Sequence, residues 1–501
     1  MVETQLVTSI VPPLAFVLPI IGAAGVVPFT ANAPRLRKAA LAAICVLEVI
    51  VAASFVPGVL SGSEYQTHLV QLTPRIWMYL HVDALGALFG LTASVLWLIA
   101  LVYSFGYMEG EHRLGRYYAF FMLALSWTMG VAYAGNLLTF LIFYELFSLL
   151  TYPLIVHEET PEAMAAGTKY IIYILIGGSL VLLAIVFTFF LAGDQTLAAQ
   201  GGLLALSMGK GKLVAVFWCF VAGFGVKAAL VPLHGWVPDA HPAAPAPFSA
   251  VLSGVMVAAG SFGIMRVVFN VFGVALLREL DVMRWLTYFA AFTVVFAALL
   301  AVSQDNLKRR LAYSTISQMG YVALGIGLLG EEAATGAIVH IANHAFMKGA
   351  LFLCAGLLIK RAGIRNVSDL SGIAQKMPVT TAAFAIATLA MIGTPPLSGF
   401  VSKWFLGLGM LDVGQPWYLA VLLGGALLAA VYLLPIVYAA YFRPPSAAVM
   451  ALPERVGGEA PASMLVPLIA AVVLVIVLGI ASSVPGMPLS LARLAAGIAF
   501  K

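Results

Sequence analysis

Charged residues are scarce in this chain. Of its 501 residues, 9% are Asp, Glu, Lys or Arg and 62% are hydrophobic, whereas soluble domains are about 45–50% apolar and about 25% charged. This composition excludes a soluble globular protein and an intrinsically disordered one. The formal net charge of +5 is spread over many short loops, so we interpret it as a signal of membrane orientation and not of nucleic-acid binding.

Cysteines and cofactor motifs are also few. Cys45, Cys219 and Cys354 lie far apart inside apolar runs, so we interpret them as small buried side chains and not as a disulfide or metal site. The sequence has no GxxxxGK(S/T) loop, no GxGxxG after a strand and no HExxH. We therefore expect no metal and no cofactor, and we expect any driving force to come from an ion gradient or a partner subunit.

Long apolar runs dominate instead. A bilayer core about 30 Å thick needs roughly 20 apolar helical residues, and fourteen such runs follow one another. They lie near residues 6–29, 39–60, 82–104, 117–134, 136–156, 169–192, 213–233, 247–275, 282–303, 311–329, 334–359, 380–410, 417–441 and 463–484. The first lacks a basic segment and a cleavage site, which favours a retained helix. We predict an all-α polytopic membrane protein with about 14 transmembrane helices.

The loops predict the orientation of these spans. Loops after odd-numbered spans contain fifteen lysines and arginines, among them Lys308 and Arg455, and the opposite face contains eight, among them Arg75 and Arg266. Because basic residues concentrate on the cytoplasmic side, we predict a multi-pass protein of the cell (inner) membrane with both termini on the outer face. The remaining three lysines, Lys227, Lys348 and Lys403, lie within spans.

A charged residue inside the membrane needs a partner, a water-filled cavity or a function, because each charge costs about 2.5–3.5 kcal/mol at the centre of a span. Glu145 has about nine apolar or aromatic residues on either side in the fifth span. A functional pair of Glu145 with Lys227 is one interpretation, and a static buried pair is the alternative. For Glu48, in the middle of the second span, we expect a subunit interface or a local hydrogen bond.

Two spans are interrupted by proline and glycine. Lys227 precedes Pro232 in the seventh span, and Lys403 follows Gly393 and two prolines in the twelfth. Interrupted spans at matching places predict inverted repeats, here of five helices each, spans 4–8 and 9–13. The predicted division is helices 1–3 over residues 1–110, the first repeat over 111–275, the second over 276–445 and helix 14 over 446–501.

The eleventh span carries an ionisable row. His340, His344 and Lys348 are spaced i, i+4, i+8, which places them on one helical face about 6 Å apart per step. Imidazole can accept a proton on one nitrogen and donate from the other, so we predict a proton relay, with structural hydrogen bonding as the alternative. His234 and His241 lie beside the break after Lys227, where capping of backbone groups is the simpler interpretation.

Three longer motifs carry a family resemblance. The proline-rich run 232–250, the run 305–321 and the eleventh-span row are similar to those of the antiporter-like family. That family includes the proton-pumping subunits of respiratory complex I, the large subunits of Mrp-type multisubunit Na+/H+ antiporters, and relatives in membrane-bound hydrogenases. The resemblance covers about residues 80–445.

The resemblance implies a 14-helix fold with broken helices seven and twelve and a charged axis along the membrane midplane. The family's translocation residues correspond here to Glu145, Lys227, Lys308, His340, His344, Lys348 and Lys403, with His234, His241 and Ser253 as further relay candidates. Many relatives carry a lysine where Ala258 stands. Water with Ser253, Ser261 or His241, or another relay residue, would then have to bridge the middle of the axis.

The implied function is proton or cation translocation within a hetero-oligomeric membrane complex, with protons and Na+ as the transported ions and no catalytic chemistry of the chain's own. A D-type subunit of an Mrp-type Na+/H+ antiporter fits first. The alternatives are a proton-pumping subunit of complex I or a hydrogenase-like redox complex, and a partner of a soluble carbon-concentrating or hydrogenase module. A noncatalytic membrane scaffold is the alternative of another class.

Overall fold

The computed structural model describes residues 5–74, 76–197, 202–452 and 459–501. Arg75 and Arg455, two of the basic residues used to predict the orientation, lie outside the described residues. Helices account for most of the described chain, as the sequence predicts.

In the described residues before the first break there are three strands and seven long helices. They are β1 (Gln5–Thr8), α1 (Leu14–Phe29), α2 (Pro34–Leu60), β2 (Ser63–Thr73), β3 (Ile76–Val82), α3 (Ala84–Tyr107), α4 (Leu114–Ala132), α5 (Leu137–Ile155), α6 (Pro161–Ala192) and α7 (Lys210–Lys227).

The remaining helices are α8 (Val237–Ala243), α9 (Ala246–Phe272), α10 (Val274–Leu280), α11 (Met283–Val302), α12 (Leu307–Gly327), α13 (Glu331–Ala362), α14 (Pro378–Ile392), α15 (Ser398–Asp412), α16 (Tyr418–Phe442), α17 (Ala447–Met450), α18 (Ala462–Ile480) and α19 (Pro488–Ala499).

A small sheet was not predicted. Its strand order is β1-β2-β3; β1 runs parallel to β2, with Gln5 opposite Ser63, and β2 runs antiparallel to β3, with Tyr65 opposite Val82. The first predicted span was therefore wrong at its start, because residues from Gln5 pair with β2 and the helix begins only at Leu14. Hydrophobic content cannot distinguish such a strand from the beginning of a helix.

Capping residues set several helix ends. Asp83, Asn136 and Thr160 each accept a hydrogen bond from the backbone N–H three residues later, at the starts of α3, α5 and α6. These side chains satisfy N–H groups that have no partner within the helix. The helix α13 ends at Gly363, whose φ of 70° is the left-handed conformation that glycine adopts without strain.

Each of the fourteen predicted spans overlaps a helix. Among the described residues, nine helices have by themselves the length and hydropathy of a membrane span, and shorter apolar helices lie at Leu14–Phe29, Pro378–Ile392 and Pro488–Ala499. The chain is a multi-span membrane protein. The count of fourteen crossings remains a prediction.

Both predicted interruptions are present. The helix α7 ends at Lys227, and helical structure resumes with α8 at Val237. The helix α14 ends at Ile392 before Gly393, whose φ is 99°, and α15 begins at Ser398. The inverted-repeat relation and the four-part division of the chain remain predictions.

The helix α13 lies at the centre of the molecule. It packs against α3, α9, α12, α14, α15, α18 and α19. The most hydrophobic 18-residue window of α13 is entirely buried inside the chain although its mean hydropathy is only 1.4. A less apolar helix tolerates this position because its neighbours separate it from lipid, and this shell places the ionisable row in the protein interior.

Candidate functional site

Lys227 is fully buried among hydroxyl and aromatic groups. Its Nζ donates to Ser148 Oγ at 2.9 Å and to Tyr170 Oη at 3.2 Å, and it lies 4.5 Å from the centre of the Phe147 ring. A hydroxyl can accept from an ammonium group and can equally donate to a neutral amine. The surroundings of Lys227 can therefore satisfy this side chain both with and without its proton.

Glu145 lies on α5 one turn before Ser148. Its carboxyl packs directly against Gly178 of α6, where an added Cβ would overlap the carboxylate. Among the described residues, Glu145 forms no ion pair with Lys227, and its Oε1 has no hydrogen-bond partner. The two charges act on each other through space and without a direct contact.

Lys403 is held at the end of a half-helix. Its Nζ donates to the carbonyl oxygens of Met391 and Ile392, each at 2.8 Å. These are the last residues of α14, whose C-terminal carbonyl groups lack helical partners and carry partial negative charge. The break at Gly393 thus provides the site for this buried cation.

The ionisable row on α13, formed by His340, His344 and Lys348 and called the α13 row below, contacts the residue before Lys403. His340 Nδ1 shares a hydrogen bond of 2.7 Å with Ser402 Oγ, and the His340 and His344 ring centres are 6.0 Å apart. Lys348 Nζ donates to the Leu311 carbonyl oxygen at 3.0 Å. Structural hydrogen bonding thus accounts for one nitrogen of His340 and for Lys348.

His344 differs from its neighbours in the row. It is fully buried, and neither of its ring nitrogens has a partner among the described residues. The charges of His340, Lys348 and His241 all act on it. Both ring nitrogens of this buried imidazole are therefore available to accept or donate a proton.

Ser253 joins the row through α12. Its hydroxyl shares a hydrogen bond of 2.6 Å with Thr315 Oγ1, and Thr315 Oγ1 donates to the Leu311 carbonyl oxygen at 3.0 Å. That carbonyl also accepts from Lys348. Ser253 lies in a π-helical turn of α9, Leu252–Met256, a feature that often marks functional positions in helices.

Lys308 lies near the interruption that follows Lys227. Its Nζ donates to the carbonyl oxygens of Ala244 and Pro242, at the end of α8. Lys308 was counted as a loop cation in the orientation prediction, but it is buried. Its charge acts on His241, which extends the row by one more titratable residue.

The two histidines beside the break differ in position. His241 is fully buried and stacks on Phe352 at 4.7 Å, and both of its ring nitrogens are without partners in the described chain. The expected backbone capping is therefore wrong for His241. His234 is half-buried between Phe296 and Tyr313, and the charge that acts on it is that of Lys169, so it lies apart from the row.

The middle of the charged axis that the resemblance implies lacks a charged side chain at Ala258, as expected. Ala258 is fully buried, and Ser261 makes only a 3.7 Å contact with Met319 Sδ. An added Cβ at Gly260 would overlap the backbone of Ala228, so α9 packs closely on the chain just after Lys227. Among the described residues, no hydrogen-bonded chain joins Lys227 to Ser253.

The surface near Lys308 carries a second titratable cluster. The charge of the exposed Glu158 acts on Lys308. The neighbouring His157 is buried and stacks on His112 at 4.9 Å. Burial, together with the positive charges of Arg116 and His112, lowers the pKa of His157 to about 4. Sequence reasoning did not single out these residues, which lie just beyond the end of α5.

Other polar partners were missed as well. Ser148 and Ser402 are neighbours of predicted charged residues in sequence, which was the available signal. Arg266 was counted as an outer-face cation, but it is buried and forms an ion pair with Asp83, with Nη2 2.8 Å from Oδ1. The two residues are far apart in sequence, so no local pattern indicates this pair.

Comparison with known proteins identifies the family. Residues 134–429, more than half of the chain, match the family described as NADH:quinone oxidoreductase/Mrp antiporter, transmembrane. The chain is also 34% identical over 460 residues to NADH-quinone oxidoreductase subunit N of Desulforudis audaxviator, with 90% of this chain and 91% of that protein covered. The chain belongs to the NADH:quinone oxidoreductase/Mrp antiporter family. The resemblance inferred from the motifs is confirmed.

Further similar proteins and solved structures show how widely the fold is shared. Hydrogenase-4 component B of Escherichia coli is 32% identical, with 69% of this chain but only 53% of that protein covered. The Mrp complex of Dietzia sp. has a chain matching 98% of this one with a TM-score of 0.86 at 23% identity. The archaeal membrane-bound sulfane sulfur reductase matches with the same TM-score and coverage at 26% identity.

Proposed function

We propose that the chain translocates protons across the cell membrane as a subunit of a hetero-oligomeric complex. The observation that carries the proposal is the series of buried ionisable side chains around α13. Lys403, His340, His344 and Lys348 follow one another, and the row continues through His241. Placing such residues in a membrane interior costs free energy, and they typically mark ion pathways.

We propose that Glu145 controls the proton on Lys227. Two unit charges 4 Å apart attract by about 4 kcal/mol at an effective dielectric near 20, and each 1.36 kcal/mol changes a proton-binding equilibrium about tenfold. Movement of Glu145 toward or away from Lys227 would therefore switch Lys227 between holding and releasing a proton. The hydroxyl groups of Ser148 and Tyr170 support the proposal, because they can serve both states.

We propose that the proton then passes along the α13 row and ends at Lys403. Between Lys227 and Ser253 the transfer would use water admitted beside the π-helical turn, since Ala258 offers no charge. Lys308 and Glu158 would connect the row with the face that the loop charges predict to be cytoplasmic. Both termini would then lie on the outer face.

The process to which proton translocation is coupled is a further part of this proposal. The Mrp complex and the sulfane sulfur reductase match the fold equally well, and a relative that is similar over 91% of its own length is an NADH-quinone oxidoreductase subunit. Proton translocation is the activity common to an antiporter assignment and a redox assignment. Na+ exchange belongs to the first, and electron transfer in partner subunits to the second.

The test is proton transport by the native complex. The complex is purified with its copurifying subunits, reconstituted into vesicles, and followed with a pH-sensitive dye while Na+ gradients or electron donors are supplied. We expect Lys227→Ala and Lys403→Ala to assemble normally and to abolish transport. Lys212→Ala, which changes an exposed lysine, serves as the control. Normal transport by both buried-lysine variants would instead support the scaffold alternative.

A further inference from the structure

Glu48 is a buried carboxyl that the proposed path does not use. It lies in α2, 12 residues from Leu60 and 14 from Pro34, which places it about 18–21 Å from either end of the helix at 1.5 Å per residue. It is therefore near the middle of the membrane. It also lies outside residues 134–429, which match the family.

Neither role expected for Glu48 from the sequence is found. The side chain is fully buried within this single chain, so it is not at a subunit interface. Neither carboxyl oxygen has a hydrogen-bond partner among the described residues, so no local hydrogen bond is present. Both expectations were wrong, and an unpartnered buried carboxyl needs another explanation.

Two titratable groups face Glu48. Cys45, one turn earlier on α2, is fully buried, and its thiol lies 3.9 Å from Met122 Sδ of α4. Tyr133, just after α4, is fully buried, and its hydroxyl has no hydrogen-bond partner in the described part of the chain. The charge of Glu48 acts on both groups.

No basic group compensates for a charge on Glu48. Within the described parts of the chain, no lysine, arginine or histidine acts on its carboxyl. An isolated ionised carboxylate in an apolar interior costs several kcal/mol, whereas the neutral acid avoids this cost. Binding of a proton to the carboxyl is therefore the simplest way to remove the free-energy cost of burying this side chain.

We propose that Glu48 and the Tyr133 hydroxyl form a proton-binding site within the N-terminal helices, separate from the α13 row. A proton fits better than a metal cation, because the further donors on this part of α2 and α4 are the Cys45 thiol and the Met122 thioether in contact with it. Such soft groups are poor ligands for Na+, Mg²⁺ or Ca²⁺. The site binds one proton at the carboxyl, and the Tyr133 hydroxyl, which has no hydrogen-bond partner among the described residues, is the group proposed to share it.

Apolar residues form a close contact between α4 and α5, the helix that carries Glu145. Gly130 of α4 faces Phe143 of α5 so closely that an added Cβ would overlap the ring, and Phe143 also packs against Phe16 and Trp127. No polar side chain takes part in this contact. The inference therefore does not depend on the proposed function.

Infrared spectroscopy of the reconstituted complex tests the site directly. At neutral pH we expect a carbonyl band of a protonated carboxylic acid that is lost in Glu48→Gln, that shifts in Tyr133→Phe, and that disappears reversibly as the pH is raised. Glu145→Gln is the matched control, because it removes another intramembrane carboxyl and should leave this band in place.

Three outcomes would overturn the inference. The first is a spectrum without any band that depends on Glu48, and the second is a band that persists at every pH without exchange of its proton for deuterium. The third is a band that appears only when Na+ is removed, since that would identify a sodium site. If Glu48→Gln does not assemble, the band shifts in Glu48→Asp and Tyr133→Phe provide the same test.

Discussion

Lys308 and Lys403 have the same relationship to the two broken spans: each donates hydrogen bonds to the carbonyl oxygens at the C-terminal end of the short helix beside a break. At such an end several carbonyl groups have no helical partner, and the helix dipole favours a cation. Each break therefore creates a site where backbone carbonyl groups stabilise a lysine.

We predict that Lys403→Met lowers proton transport by at least about tenfold, since it removes the cation at the end of the row. The loss of the carbonyl partners should destabilise the protein by only about 0.3–2 kcal/mol, the range for charges at helix ends. The measurements are dye-monitored transport and thermal unfolding of the purified complex. Lys403→Arg keeps the charge and should retain part of the transport; equal transport by Met and Arg variants would contradict a role for the charge.

The hydroxyl partners of Lys227 should affect transport. Ser148→Ala or Tyr170→Phe removes one hydrogen bond to an ammonium group, an interaction of about 1.5–3 kcal/mol, and we expect about tenfold or greater slowing of transport. Ser179→Ala is the control, because the Ser179 hydroxyl is exposed and donates only to a carbonyl oxygen of its own helix. Slowing of the same size in the control would indicate a general effect on α5 and α6.

The position of Glu145 can be changed without altering any charge. Gly178→Ala places a methyl group where the Glu145 carboxyl now lies, so the carboxyl must move relative to Lys227. We expect altered transport with the complex still assembled, measured as the dependence of transport rate on pH. Gly424→Ala is the matched control, since nothing lies within 4 Å of its added Cβ. An unchanged pH profile in Gly178→Ala would argue against control of Lys227 by Glu145.

The buried His157 predicts a pH dependence of stability. Its pKa is lowered from 6.5 to about 4 in the folded protein. Between these values the unfolded chain binds a proton at this ring and the folded chain does not, so stability falls as pH decreases from about 6.5 toward 4. We expect the Tm in detergent to fall over this range, and the fall to be smaller in His157→Phe. His68→Phe, at an exposed position of β2, should keep the wild-type slope.

The parts of the fold that could be predicted are those with local causes. Apolar runs predict the helices, and the prolines and glycines after Lys227 and before Lys403 predict both breaks, because each acts on its own stretch of backbone. The i, i+4, i+8 spacing placed His340, His344 and Lys348 on one face for the same reason. Scarce charge in a long apolar chain then indicated which residues to examine.

The parts that were missed depend on contacts between distant segments. The strand β1 forms only because Ser63 and its neighbours offer paired backbone groups. Ser148 and Tyr170 become partners of Lys227 only when α5, α6 and α7 pack together. The assignment of Arg266 to the outer surface failed because its partner, Asp83, lies 183 residues away.

The ion pair of Asp83 and Arg266 should contribute to stability far more than a surface pair. Removing one partner of a buried pair typically costs about 3–5 kcal/mol, because the other charge stays buried without compensation. We therefore expect a large fall in Tm for Asp83→Asn and for Arg266→Met. The double variant should lose less than the sum of the two single effects.

Arg284 and Asp281 provide the control for this cycle, since their side chains are 57% and 58% exposed. Breaking an exposed pair should cost only about 0–1 kcal/mol. Thermal unfolding of the six single and double variants in detergent measures both coupling energies under the same conditions. Additive losses at Asp83 and Arg266 would show that the two residues stabilise the protein through other contacts, such as the cap that Asp83 provides to α3 through the Gly86 N–H.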